Sequence, residues 1–179
     1  MLNKKIELKD SLIHGQGLFA KEKILKDEKI WWVDPENDTR QFYTREESCK
    51  LNYEDNKMFN SYAYQYDDDC WVLDSEIEKY TNHSCDPTTW NGLDGALETV
   101  ARRDIEVGEE ITCDFATFFD ATYEWSAPCN CGSENCRVRV SSRDFLSPIW
   151  QELNKGRIPT FQLCAIEKYN VKQKNRNQN

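Results

Sequence analysis

Short runs of apolar and β-branched residues, each closed by polar, Gly or Asp positions, dominate the first two thirds of the chain. They predict strands over residues 6–9, 18–21, 29–33, 61–66, 71–74, 97–102 and 111–115. Alternation along the fourth run would place Tyr62, Tyr64 and Tyr66 on one face. Helices are fewer. Thr44-Arg45-Glu46-Glu47 fits a capping box and opens a short helix towards Asn52, while Ser147 before Pro148, with Gly156 closing, marks a second. Residues 171–179 hold Lys, Asn and Gln with almost nothing apolar, which predicts a disordered tail. Many short strands with long irregular connections make this an α+β domain that is mainly β.

Composition narrows the picture. A chain of 179 residues fills one core and calls for no second domain of full size. No apolar run approaches a membrane span, and the charged N-terminus lacks a signal-peptide centre, so a cytoplasmic or nuclear protein is expected, without membrane attachment. Against 32 acidic residues stand 23 basic ones, a net charge of −9. That balance repels nucleic acid and favours a cationic partner.

Eight cysteines in a reducing compartment read as metal ligands or buried small hydrophobes rather than disulfides. Two segments concentrate four of them: Asn82-His83-Ser84-Cys85-Asp86-Pro87, and Cys129-Asn130-Cys131-Gly132 running on to Cys136-Arg137. Gly132 supplies the backbone freedom for a sharp turn between ligands. Cys85 then closes a tetrahedral thiolate site from afar, tying the later segment to the middle of the chain. The alternative is a Cys85 that only fills space while the other three bind metal incompletely.

With Gly15-Gln16-Gly17 and Glu110-Ile111-Thr112-Cys113-Asp114-Phe115, these segments stand in the order seen in SET-domain methyltransferases with a post-SET zinc segment, a family the chain resembles over roughly residues 10–140. The resemblance implies a knot-like fold of small curved sheets. It also implies S-adenosylmethionine on one face of the crossing and a substrate amine entering from the other. On this basis Gly15, Gln16, Gly17, Leu18, Asn82, His83 and Trp125 would hold the cofactor, Asn82 and His83 through side-chain amide and main-chain groups. Cys85, Cys129, Cys131 and Cys136 would hold one structural zinc. The implied division is a SET domain over 1–124, a post-SET segment over 125–140 and a helical extension over 141–170.

Aromatic walls suit a cationic sulfonium and a cationic product. Trp90, Phe115, Trp125 and the tyrosines at 62, 64 and 66 are candidates, though each ring serves equally as core. An acidic turn at Asp67-Asp68-Asp69 could draw in a basic substrate, or simply be solvated.

Three positions depart from the family pattern, the first being Thr88, where the family commonly continues from proline into Asn. Phe115 stands where relatives carry a catalytic tyrosine, and Tyr64, Tyr66 and Tyr123 are candidates to supply the missing hydroxyl. Cys113 stands at the product-specificity position, and its small side chain leaves room for an amine that is already methylated. The resemblance therefore implies methylation of lysine in a histone or other basic protein or peptide. Methylation of a small polyamine is a second reading, and a non-catalytic binding module that lacks the tyrosine is a third.

Overall fold

The computed structural model describes residues 1–34, 36–67, 69–73, 77–92, 98–119 and 124–176. Elements are numbered in chain order. Strands β1 (Ile6–Asp10) and β2 (Gln16–Ala20) form an antiparallel hairpin with Leu8 opposite Leu18. Strand β10 (Glu110–Cys113) adds to β2 with Ile111 opposite Leu18, and β7 (Asn82–His83) lies parallel to β10 with Cys113 beside His83. The sheet order is thus β1-β2-β10-β7.

A second sheet runs β3 (Lys29–Trp32), β9 (Glu98–Ala101), β8 (Thr89–Asn91). The third runs β4 (Gln41–Tyr43), β6 (Cys70–Leu73), β5 (Ala63–Asp67), and β11 (Ser126–Pro128) pairs with β12 (Arg139–Ser141). The main core joins the first two sheets: Ile6, Leu18, Ala20 and Ile111 meet Ile24, Ile30, Ala101 and Ile105, all buried. This is the α+β, mainly β, arrangement that the short runs predict. No described helix is long and apolar enough to cross a membrane.

The Thr44 capping box forms, its hydroxyl accepting from the Glu47 N–H and its own N–H donating to the Glu47 carboxylate, and it opens helix α1 (Arg45–Ser48). A second helix, α2 (Tyr53–Tyr62), occupies residues expected to begin a strand. Its cause is local: the Asn52 side chain accepts from the Asp55 N–H, with Glu54 and Asp55 in the first turn where the helix dipole favours them. The strand starts only at Ala63, and a bulge follows between Gln65 and Asp67. The three tyrosines therefore do not share a face. Tyr62 packs on Tyr80, Tyr64 on Phe118 and Tyr66 on Phe42.

Pro148 opens α3 (Pro148–Leu153) as expected, and α4 (Thr160–Arg176) follows. The tail predicted as disordered from 171 is helical to Arg176. Lys, Gln and Arg are good helix formers, and Lys174 and Arg176 sit at the end where cations favour the dipole. Residues 177–179, and the predicted strand ends at Asp74 and Leu97, lie outside the described residues.

Ile24 and Ile105 bridge each other by backbone hydrogen bonds at the centre of the main core and are fully buried. Ile24→Ala should lower the unfolding free energy by about 3 kcal/mol in urea titration, as expected for a large-to-small change in a packed core. A loss under about 1 kcal/mol would mean that this cluster is not the cooperative core.

Candidate functional site

The parallel junction of β7 and β10 collects the polar residues. Buried Asn82 donates its side-chain amide to the carbonyls of His14 and Gln16, at 3.1 and 2.9 Å, and to Glu110 Oε1 at 2.8 Å. Ser11 Oγ donates to the same carboxylate. Gly17 sits under this network: a Cβ there would lie 2.2 Å from Glu110 Oε1 and 3.0 Å from Asn82 Nδ2, so the position has no room for a side chain. The Asn82 amide thus fastens the Gly15-Gln16 turn to the sheet. Gly15 and Gln16 stay exposed at the tip of that turn.

Beyond the end of β10, Asp114 is almost fully buried and accepts three donors. The Ala116 N–H reaches Oδ1 at 2.9 Å, Arg137 Nη2 reaches Oδ1 at 2.6 Å, and Trp150 Nε1 reaches Oδ2 at 2.9 Å. The first caps a short 3-10 turn at Phe115–Phe118, and the other two bring in distant parts of the chain. His83 lies alongside. Burial pushes its pKa down to about 4, so the ring is neutral near pH 7. Its Nδ1 accepts the Phe115 N–H at 3.2 Å, and its Nε2 lies 3.3 Å from both Cys85 Sγ and Arg137 Nη2.

Cys85 receives two further donors, the backbone N–H and Nε of Arg137, each at 3.3 Å. Its sulfur stands 3.7 Å from that of Cys129, and the sulfurs of Cys85, Cys129, Cys131 and Cys136 all lie within 4.8 Å of one another. A tetrahedral zinc with Zn–S near 2.3 Å requires sulfurs about 3.8 Å apart, so this donor set fits. The Val138 N–H donates to Cys136 at 3.3 Å, and the Ser133 hydroxyl lies 3.2 Å from Cys131. Burial pushes the Cys131 thiol up, but hydrogen bonds from the Cys85 and Ser133 segments and the neighbouring Cys129 thiol bring it down to about 6, while burial pushes Cys129 itself well up. Gly132 adopts φ +70° between the ligands, the turn that its identity predicts. Cys49, Cys70, Cys113 and Cys164 stand outside the cluster.

A cleft of about 980 Å³, counting its open mouth, opens beside this junction. Its walls include Leu18, Tyr62, Tyr64, Cys113, Phe115, Phe118, Phe119 and Trp125. The rings form one connected set: Phe115 lies 6.0 Å from Phe118 and 6.1 Å from Trp125, and Phe119 stacks on Trp125 at 5.2 Å. Cys113 is buried, and burial pushes its thiol well up, so it presents a small neutral group. Lys79 is the one cationic side chain among the described lining residues, its Nζ 5.7 Å from the centre of the Tyr62 ring. A second cleft, of about 850 Å³, shares Tyr64, Asn91 and Phe118 with the first and also includes Tyr66, Asp67 and Phe161. The π faces suit a cation, and the apolar part of the walls favours the neutral form of an amine, while Glu78 and Lys79 bring one charge of each sign to the lining.

Of the residues singled out from sequence, the first cleft brings together Leu18, Tyr62, Tyr64, Cys113, Phe115 and Trp125. Gly15, Gln16, Gly17, Asn82 and His83 are not among its lining residues. Tyr66 belongs to the second cleft and to the Phe42–Arg40 stack, while Trp90 lies under Arg102, whose guanidinium is 4.8 Å from the ring centre. Asp69 accepts the Arg45 N–H, and Asp68 and Tyr123 lie outside the described residues. Sequence reading missed Lys79, Phe118, Phe119, Trp150 and Gln162. The aromatic run at 115, 118 and 119 was the only local signal for any of them.

The family model described as "SET domain" matches residues 15–116, more than half of the chain. Over 143 residues, 75% of this chain, the sequence is 32% identical to histone-lysine N-methyltransferase SETD1B of Homo sapiens, and the match covers 7% of that protein. Histone-lysine N-methyltransferase set1 of Dictyostelium discoideum is 31% identical over 148 residues, 77% of this chain and 9% of its own length. A histone-lysine N-methyltransferase of Mycosarcoma maydis described as H3 lysine-4 specific is 31% identical over 144 residues, 75% of this chain and 10% of its own. The chain thus matches a tenth or less of each of these proteins. The family match begins at the turn that Asn82 fastens and ends in the turn that Asp114 caps, and the chain belongs to the SET domain family.

Proposed function

We propose that this protein is an S-adenosylmethionine-dependent N-methyltransferase acting on a lysine side chain of a basic protein or peptide, with a histone tail as the first acceptor to test. The observation that carries this reading is the single cleft walled by Phe115, Phe118, Phe119 and Trp125, with Leu18 and Cys113 also lining it, in a chain whose SET-family relatives are named for histone-lysine methylation. The net charge of −9 favours a basic acceptor.

When bound, the cofactor supplies a methyl group that leaves its sulfonium sulfur as the amine lone pair takes it, the amine proton going to water. The chain's own residues would do the rest. Lys79 suits the cofactor's carboxylate, being the sole described cation in the lining. The ring walls keep water out and favour a neutral acceptor, which matters because a free lysine with a pKa near 10.4 is deprotonated only about once in a few thousand molecules at pH 7. The second cleft gives the acceptor chain an approach on the far side of Tyr64 and Phe118, with Asp67 in its lining to attract positive charge.

Phe115 lacks a hydroxyl, and Tyr64 is the residue we assign to replace it. It lines both clefts, and the Arg40 guanidinium interacts with its hydroxyl. The four-cysteine cluster would hold a structural zinc that fixes Arg137 against Asp114, and hence the turn that carries Phe115.

Tyr64→Phe should lower kcat roughly 100-fold, as for loss of one preorganised donor, with Phe115→Tyr restoring activity in that background. Methyl transfer to histone peptides, followed by mass spectrometry, reads both. If native protein transfers no methyl group while Phe115→Tyr alone does, the chain is a binding module and this reading is wrong. Active native protein should build di- and trimethyl-lysine, and Cys113→Tyr should shift the product to monomethyl. A native product that stops at monomethyl would contradict the role given to Cys113. Metal analysis should find one zinc per chain, and Cys85→Ser should release it at far lower chelator concentration than the native site requires. Site energies of about 10–16 kcal/mol in zinc-finger peptides make the native metal hard to strip.

A further inference from the structure

The turn that carries the cleft wall is held from outside by a residue far along the chain. Gln162, in the first turn of α4, is fully buried. Its Nε2 donates to the carbonyl of Ala116 at 2.7 Å and to that of Phe119 at 2.6 Å. A short helix leaves its last carbonyls without partners of its own, and these two sit inside and just past the Phe115–Phe118 turn. One amide group therefore ties down both ends of the segment whose rings line the cleft. Gln162 Oε1, by contrast, is buried with no hydrogen-bond partner among the described residues.

An unpaired buried acceptor costs stability, and an apolar side chain of equal volume would fill the space as well. The donor is what this position retains. Ala116 of the turn also packs in one buried cluster with Phe145, Trp150 and Ile166 of α4, a second tie between α4 and the turn. With Phe119 stacked on Trp125, a shift of the turn would pass directly to the cleft rings.

We propose that Gln162 is a positioning residue for the cofactor cleft, acting through the Phe115–Phe118 turn, so that the C-terminal helix is part of the active unit. This rests on the methyltransferase reading above. The test compares native protein with Gln162→Met, which keeps the volume and removes the donor, and Gln162→Glu, which sets a carboxylate against the two carbonyls. Adenosylmethionine affinity is measured by calorimetry well below the melting temperature of each variant, beside the 19F spectrum of fluorotryptophan-labelled protein with Trp125 assigned by Trp125→Phe.

Gln162→Met should weaken binding about tenfold, the equivalent of one neutral hydrogen bond, and Gln162→Glu more, with the Trp125 resonance shifted or broadened and zinc content unchanged. A residue that only added stability would lower the melting temperature and leave affinity and the Trp125 signal as they were, and that result overturns the proposal. If native protein binds no adenosylmethionine, the methyltransferase reading fails instead, and the Trp125 signal alone decides whether Gln162 sets the cleft wall.

Discussion

The buried carboxylate of Asp114 is the constraint on which the rest of the structure depends. An ionised group removed from water is tolerable only when its lone pairs are taken up, and here the takers come from three places in the chain. Its own turn gives the Ala116 N–H, the cysteine-rich segment gives Arg137, and α3 gives Trp150. Neither remote donor can be withdrawn without leaving a charge in an apolar surrounding. Segments that share few apolar contacts with the main core are thereby obliged to dock beside β10.

This arrangement explains why the metal cluster and the cleft form together. Arg137 touches both: its backbone and Nε face Cys85, while Nη2 faces Asp114 and Nη1 pairs with Asp144. The neutral His83 ring joins the same pair from the β7 side, receiving the Phe115 N–H at one nitrogen and meeting Cys85 with the other. A thiolate, a carboxylate, a guanidinium and an imidazole so connected have one arrangement that satisfies them all, and in it Phe115 faces the cleft. The Gly15–Gly17 turn is set separately, by Asn82 and Glu110, on the other side of the same parallel junction.

Much of this was legible in the chain. Cysteines at four spaced positions and the Thr44 capping box each state a local requirement that few other residues meet, and each was found where it was expected. The short strands were legible in kind but less so in extent. Helix α2 escaped notice because its sequence, with Tyr, Phe and Asn among its residues, has weak intrinsic preference and depends on its Asn52 cap and on Phe59 packing against Trp71. The assumption that Tyr62, Tyr64 and Tyr66 share a face failed for the same reason, compounded by a bulge that no residue type announces.

By itself, then, the sequence determined the family and the four cysteines that cluster, because each is a matter of residue identity at a fixed spacing. Only the tertiary structure decided which groups remain free for a ligand. Residue identity at 82 and 83 does not say that the Asn82 amide bonds the Gly15-Gln16 turn or that the His83 ring meets Cys85. Phe118, Phe119 and Lys79 gain their place only through the cleft they line. Hydrogen-bond capacity is finite, and what is spent inside the protein depends on neighbours as far as 99 residues away in the chain, which no local pattern records.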